Sequence, residues 1–509
     1  MKKMTRIIHS PLLAIALGWL AMQFAPDVFG VVPPPDGGYP NFTTAEGTKA
    51  LQSLTTGSGN TGIGWFSLAS ITSGSYNTGL GAGTLALNTA DENTATGTGA
   101  LLLNTGGIGN TANGAFALLH NDTGNGNTAI GLNTLASNTS GGFNTALGDA
   151  ALENNVIGTD NTGIGAGALE SNTSSQNTAI GSGALLFNNT GAANTAIGFQ
   201  ALLNNNGSGN TACGVQSLLS NTSGGANTAT GVQALQDNLD GAQNTANGFI
   251  ALASNTSGSS NTANGQNALG QNISGSDNTA IGSVALSSNL MSDGNTAVGN
   301  HALSSATGSV NIALGSAAGS NITTGDRNID IGNDGVAGDS HTIRLGTGGI
   351  HTSTFIAGIF GQAASGGSTV FVTSDGKLGT NASARRYKNN IREMAATSEA
   401  ILQLKPVTFE YKSDKTQTPQ FGLIAEEVAE VNPDLVVCDE NGKIYTVRYE
   451  AVNAMLLNEF LKEHKAFVQE QRKVQELEQR IEKLATDLQK VTNQIQLSNP
   501  AAQMAANQP

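Results

Sequence analysis

Residues 127–143 read NTAIGLNTLASNTSGGF, and Asn144 opens the same phrase again as NTALG. With variants, the block begins at residues 60, 77, 93, 110, 127, 144, 161, 177, 194, 210, 227, 244, 261, 278, 295, 311 and 328, always 16 or 17 residues apart. In register the unit is N-T-A-I-G-x-x-A-L-x-x-N-T-S-G-x-x. Its ninth place is Leu in fifteen of seventeen copies, from Leu68 to Leu303. The third place is Ala or Gly except at Asp330, and the eighth is only Ala, Ser, Thr or Gly. A unit this short cannot bury its own apolar side, but stacked units pile each Leu on the next and exclude water along one seam. Each Leu so buried contributes roughly 1.5–3 kcal/mol. Uniformly small residues at the third and eighth places imply a second backbone close by. Asn at the first and usually the twelfth place (Asn88, Asn138, Asn255) suits turns and amide ladders between coils, and Gly supplies positive φ. Gly, Asn and Thr at this density disfavour helix. The expected fold is mainly β: a parallel β-solenoid over residues 60–335, one coil per repeat. At about 4.8 Å per coil the seventeen coils make a rod of roughly 80 Å.

Composition agrees with an array. The chain has 509 residues, 66 of them Gly, only 12% charged, and a formal net charge of −14. That charge argues against nucleic acid or an anionic membrane as partner. Cys213 and Cys438 lie in different regions, which excludes a disulfide framework. Between residues 50 and 326 there is no Lys or Arg and only two histidines, His120 and His301. No carboxylate pair recurs at a fixed place, as a glycosidase would need, and no calcium-binding nonapeptide is present. No metal or cofactor is implied, and the rod reads as a scaffold or passive binding surface; its Thr and Asn ladders would also suit ice or a polysaccharide. At the N-terminus, Lys2, Lys3 and Arg6 precede the apolar run Pro11–Ala25 and a small-residue cleavage region at Val28–Gly30. Residues 1–30 therefore read as a signal peptide, with an uncleaved anchor as the alternative, and residues 31–59 as a linker. No later stretch is apolar enough to span a bilayer, so a secreted or bacterial cell-surface protein is expected.

The repeat region resembles the left-handed β-roll heads of trimeric bacterial autotransporter adhesins. Their shorter repeats carry a similar apolar-Ala-apolar-Gly block, seen here in Ala129-Ile130-Gly131 and Ala196-Ile197-Gly198. The resemblance implies a homotrimer. The longer period leaves coil shape and handedness open, and Thr96, Asn113, Asn247 and Asn264 at the fourth place point to partial burial there.

After residue 335 the pattern changes. Thr342–Leu345, Thr354–Gly358 and Thr369–Val372 read as strands in a connector over 336–382. Charge then returns at Asn381–Ile391, NASARRYKNNI. Ile391–Leu404 has helical spacing, Val407–Tyr411 reads as a strand, FGLIAEEVAEV occupies Phe421–Val431 before Pro433, and a hairpin is expected over Val436–Val447, turning on Asn441-Gly442. Glu426 and Glu427 read as a solvated helix face.

This region resembles the intramolecular chaperone auto-processing domain at the ends of phage endosialidase tailspikes. The carrying residues are Ser383, Arg385, Lys388 and Ile391; Leu404-Lys405-Pro406 with Phe409; Gly422–Val428 with Pro433 and Val436; and Tyr449 with Ala451-Val452. The resemblance implies self-cleavage between Ala382 and Ser383, with Ser383 as nucleophile and Lys388 as base, over a domain spanning 383–459. Arg385 and Arg386 are candidates for tuning the lysine or holding an oxyanion. The family often has an acid directly after the serine; here Ala384 stands there. An uncleaved cap that only registers the chains is the alternative.

From Phe460 an apolar residue recurs every seven positions at Phe467, Val474, Ile481, Leu488 and Ile495, with Leu477, Leu484 and Val491 between. That is a coiled-coil heptad over 460–497, followed by a disordered tail over 498–509. Near-identical coils can slip past one another at little local cost, so a C-terminal clamp that fixes register before the rod zips has a physical purpose. The sequence thus points to an exported homotrimeric surface fibre whose terminal chaperone cuts itself off. A phage-like tail fibre, or an uncleaved fibre binding polysaccharide or ice, are the alternatives.

Overall fold

A computed structural model describes residues 40–498 apart from 358, 360–366, 374 and 440; the signal-peptide reading of 1–30 and the tail from 499 lie outside the described residues. Residues up to 351 and from 352 onward form two units. In the first, nineteen three-residue strands succeed one another, from β1 (Thr44–Glu46) and β2 (Thr61–Ile63) through β18 (Ile329–Ile331) to β19 (Ile343–Leu345). Each pairs in parallel with the next and like repeat places lie opposite: Thr195 with Thr211, Ala196 with Ala212, Ile197 with Cys213. The expected parallel β-solenoid is present, and its strand ladder is about 85 Å long at the usual strand spacing. It extends past the 60–335 array at both ends. β1 falls in the stretch read as a linker and β19 in the stretch read as a connector. β19 realises the strand read at Thr342–Leu345, as a further coil rather than a connector strand, whereas β1 was not read; both depart from the repeat, with Arg344 at a third place and Glu46 at a fourth, while backbone pairing continues regardless of side chain.

Within a strand, side chains alternate. The third-place Ala points in and is buried, as at Ala129, Ala196 and Ala280. The second and fourth places point out. The fourth place is partly buried, as its polar members imply: half-buried at Ile63 and Ile164, and 39–44% exposed at Ile130, Leu147 and Ile197. Opposite the strand, the ninth-place Leu is fully buried in coil after coil, from Leu68 to Leu303. A Cβ on Gly163 would sit 3.2 Å from the Ala168 carbonyl oxygen and 3.4 Å from Leu152, which is the close backbone expected from the small third and eighth places.

The chain turns so tightly through backbone of opposite hand. The fifth-place Gly has φ near +135°, as at Gly198, where a Cβ would lie 2.5 Å from the carbonyl oxygen of Gly214 in the next coil. The buried Leu is also left-handed, with φ +55° at Leu152 and +52° at Leu235. That conformation costs an L residue about 1–2 kcal/mol, comparable to what burial of the side chain contributes. Leu is tolerated there because its side chain is then aimed into the seam.

Polar atoms inside the coils are satisfied by the ladders. Asn144 Nδ2 donates to Asn127 Oδ1 at 3.0 Å and to the Gly158 carbonyl at 2.9 Å, and its backbone N–H also reaches Asn127 Oδ1 at 3.0 Å. At the twelfth place, Asn138 Nδ2 donates to Asn121 Oδ1 at 2.6 Å and to Gly141 O at 2.9 Å. Among the described residues two buried side-chain atoms have no partner, Asn289 Oδ1 and Asp330 Oδ2. Asn289 is where the twelfth-place ladder stops, since the next coil has Ala306 there.

The second unit is small. β20 (Phe371–Val372) pairs with β21 (Leu378–Gly379), β22 (Val407–Phe409) with β23 (Gln420–Gly422), and β24 (Val436–Cys438) with β25 (Ile444–Val447), all antiparallel. Helix α1 (Ala425–Val431) follows β23, and α2 (Tyr449–Ser498) closes the described chain. The hairpin turns at Gly442, φ +77°. Two expectations fail. Thr354–Ile356 join no strand, and the helical spacing of Ile391–Leu404 is realised only as a 3-10 helix over Ala395–Gln403. Asn390 (φ +52°) and Ala395 (φ +46°) interrupt the right-handed run that an α-helix would need. The core is Val428, Leu435, Val447 and Met455, with Ile401, Leu404, Leu423 and Val452 packed on it. Beyond it, α2 carries exposed apolar side chains at Phe467, Val474, Leu477, Ile481, Leu484, Leu488, Val491 and Ile495. No described helix is long and apolar enough to cross a membrane.

Candidate functional site

Ser383 and Lys388 are brought together by a single turn. Ala384 is extended (φ −69°, ψ 146°), residues Arg385–Tyr387 make a 3-10 turn, and Lys388 is extended again (φ −124°, ψ 134°). Tyr387 N–H donates to Ala384 O at 3.0 Å and Lys388 N–H to Arg385 O at 3.1 Å. The reversal returns the lysine to the start of the turn, where Lys388 Nζ donates to Ser383 Oγ at 3.1 Å. The five-residue spacing is what one 3-10 turn between two extended residues requires. Ala382, the residue on the other side of the proposed scissile bond, precedes Ser383 directly and is exposed, as are Ser383 and Lys388.

Arg385 and Arg386 form the turn itself. The Arg386 guanidinium lies over the Tyr387 ring, 4.7 Å from its centroid, a cation–π contact that fixes the turn's outer side. From Asn381 to Arg392 the segment has four cations and no acid. Glu426 and Glu427 sit in the first turn of α1 and are exposed, where carboxylates favour the positive end of a helix.

Two anchors hold this unit together; the first was not legible in the sequence, and of the second only the residues, not their contact, were singled out there. Ser398 is fully buried. Its hydroxyl donates to Glu459 Oε1 and accepts from Asn458 Nδ2 at 2.6 Å, and Lys462 Nζ lies 2.7 Å from Glu459 Oε1. The hydrogen bonds from Lys462 and then Ser398 hold the Glu459 carboxyl below the usual glutamate range. These bonds pin the 3-10 helix that follows the Ser383 turn onto α2. The second anchor is Tyr449, whose hydroxyl accepts from Leu423 N–H at 3.0 Å. A Cβ on Gly422 would come within 2.7 Å of that oxygen, so Gly422 and Tyr449 need each other. Partners 61 residues apart in one case and 26 in the other give no periodic signal, which is why pattern reading does not find the contacts.

No group of His, Cys, Asp or Glu among the described residues could hold a metal ion. Cys213 and Cys438 are free and exposed. No curated protein and no solved structure matches the chain. A family model does match residues 383–437, beginning at the serine of the Ser–Lys turn; its description is chaperone of endosialidase. Behind a parallel β-solenoid of 17-residue repeats, this chain therefore carries a chaperone-of-endosialidase domain at residues 383–437.

Proposed function

We propose that the protein is an exported homotrimeric surface fibre whose C-terminal domain assembles the rod in register and then releases itself by cutting between Ala382 and Ser383. The observation that carries the cleavage reading is the 3.1 Å contact between Lys388 Nζ and Ser383 Oγ at the first residue of the matched domain. A serine hydroxyl is a weak nucleophile until a base takes its proton, and a lysine is a base only when neutral, a form that burial and neighbouring cations favour. Assembly of three chains around the exposed turn supplies burial, so cutting waits on correct folding. In the reaction Ser383 Oγ attacks the Ala382 carbonyl carbon while Lys388 takes the hydroxyl proton and passes it to the departing Ser383 nitrogen. The Ala382–Ser383 C–N bond breaks as an ester to Oγ forms. Water then hydrolyses the ester, leaving an Ala382 carboxylate and a Ser383 amino terminus. Arg385 and Arg386, in the same turn, are the candidates for holding the oxyanion or for keeping the lysine neutral.

The trimer reading rests on α2. A helix whose apolar seam is in water along most of its 50 residues gains its stability from partners, and a sustained heptad packs against copies of itself as a coiled coil. Removing the clamp after assembly makes the rod kinetically stable, because separated chains no longer refind register. The deciding experiment expresses wild type, Ser383→Ala and Lys388→Ala and compares intact mass and N-terminal sequence. A new terminus at Ser383 in wild type only is the expected result. One uncut species in all three defeats cleavage and leaves a chaperone that stays attached.

A further inference from the structure

The second and fourth places of every coil form the outward face of the parallel sheet. From Thr61 to Leu314 these two columns contain no charged residue. The second is Thr down to Thr296, then Ile312; the fourth is Ile, Leu, Val, Cys, Thr or Asn. Its apolar members stand well out of the single chain: Ile130 is 39% exposed, Leu147 44%, Ile197 41% and Leu314 48%. Soluble monomers seldom leave in water an uncharged strip of this length with exposed Ile and Leu recurring along it. At roughly 10 Å wide and about 72 Å long over these sixteen strands, the strip offers on the order of 700 Å², close to the roughly 800 Å² each partner gives to an interface of standard size.

We propose that this face is where copies of this chain pack in parallel, like rung against like rung, and that the polar rungs of the fourth column set their register. The proposal deepens the homotrimer reading above and rests on it. An uncharged strip that repeats at every coil is matched along its whole length only by a partner with the same repeat. Copies related by rotation about an axis along the rod supply it, since residue n then meets residue n.

The fourth column is not uniform. It is apolar at Ile63 and Leu80, polar at Thr96 and Asn113, apolar from Ile130 to Ile197 with Cys213 after it, polar at Thr230, Asn247 and Asn264, and apolar again from Ile281 to Leu345. These blocks have unequal lengths, so the column matches itself in one alignment. In register Asn meets Asn and Ile meets Ile. A slip of one coil sets Leu80 on Thr96, Asn113 on Ile130, Cys213 on Thr230 and Asn264 on Ile281, each placing a polar group on an apolar one; a slip of two coils creates further mismatches of the same kind. Buried polar residues at single seam positions fix register in coiled coils by the same logic. The core columns are degenerate, whereas this outward column is not, so it penalises a slipped rod after the C-terminal clamp has started the chains in register.

Cys213 lies in this column and makes the idea testable in the full chain. In a Cys438→Ser background, a short bifunctional maleimide should link Cys213 between chains within one trimer. A control chain with Cys213→Ser, Cys438→Ser and Ser140→Cys, whose thiol is on another side of the coil, should give at least fivefold less product. A trimer by sedimentation whose Cys213 does not link, or whose Ser140→Cys links equally well, overturns the proposed face and leaves the homotrimer standing. A monomer by sedimentation removes the homotrimer reading itself. In a Ser383→Ala background, which keeps the clamp attached through refolding, Thr230→Ile, Asn247→Ile and Asn264→Ile together should lower the Cys213 yield after unfolding and refolding at least twofold; an unchanged yield overturns the register role.

Discussion

At the scale of single residues, the coil is held by three chemically distinct seats. The ninth-place Leu gains by burial what its left-handed backbone costs, so Leu152→Ala, which keeps the strain and removes the packing, should destabilise its coil by about 2–5 kcal/mol. Hydrogen exchange of the neighbouring backbone amides would report the loss. Ala306→Asn should act in the other direction. It gives Asn289 Oδ1, buried and unpartnered, the amide donor that every earlier member of its ladder has, and about 1 kcal/mol is the expected gain. Asp330 occupies a third place that elsewhere holds Ala or Gly. Burial first, then the charge of Asp339, push its carboxyl up to about 6, against the pull of Arg344. Because the folded value is raised, the contribution to stability is fully present below the unfolded value near 4 and is lost as pH rises through about 6. The last coils should therefore exchange faster at pH 7 than at pH 4.5, after correction for intrinsic exchange rates, and Asp330→Asn should flatten that dependence; an identical pH response in the variant would contradict the assignment.

At the scale of elements, the fifth-place Gly and the long helix are the sensitive parts. Gly198→Ala combines φ +135° with a Cβ 2.5 Å from the next coil's carbonyl. No flexible side chain is there to yield, so the stack should open locally and limited proteolysis should cut near residue 198 in the variant only. In the second unit, Ser398 and Glu459 join the 3-10 helix to α2. Ser398→Ala should loosen the segment bearing Ser383 and slow processing severalfold while leaving the sedimentation coefficient unchanged. A variant that no longer assembles at all would show instead that Ser398 serves the fold of the unit rather than the placement of its turn.

At the scale of the whole molecule, the argument concerns order of events. Rods whose coils share near-identical cores have many nearly equivalent alignments while only a few coils are paired, and such landscapes trap. On the homotrimer reading proposed above, a helix of 50 residues with a heptad seam would associate before the rod does. Leu484→Glu with Ile481→Glu puts charge into that seam. The doubly substituted protein should lose its trimeric species in sedimentation at micromolar concentration, with the Ala382–Ser383 bond left intact. Efficient cutting in a monomer would break the proposed link between assembly and processing.

Much of this was open to reading in the primary structure, and the reason is translational symmetry. When seventeen coils repeat the same demand, each column is sampled seventeen times, so the buried Leu, the paired Asn and the obligatory Gly stand out without any coordinates. The spacing of Ser383 and Lys388, and the heptads of α2, are local for the same reason: the partners lie within one turn or one helix face. What only the tertiary structure decided is non-repetitive or distant in sequence. The end coils at Thr44–Glu46 and Ile343–Leu345 are recruited by backbone pairing to a preformed neighbour, a force blind to side-chain pattern. The Ser398–Glu459 anchor and the fit of Gly422 to Tyr449 join residues that meet only after folding. The outward aim of the fourth column follows from strand alternation once the third place is known to face in, and that depends on which wall the Leu seam occupies, a matter of three-dimensional closure rather than of composition.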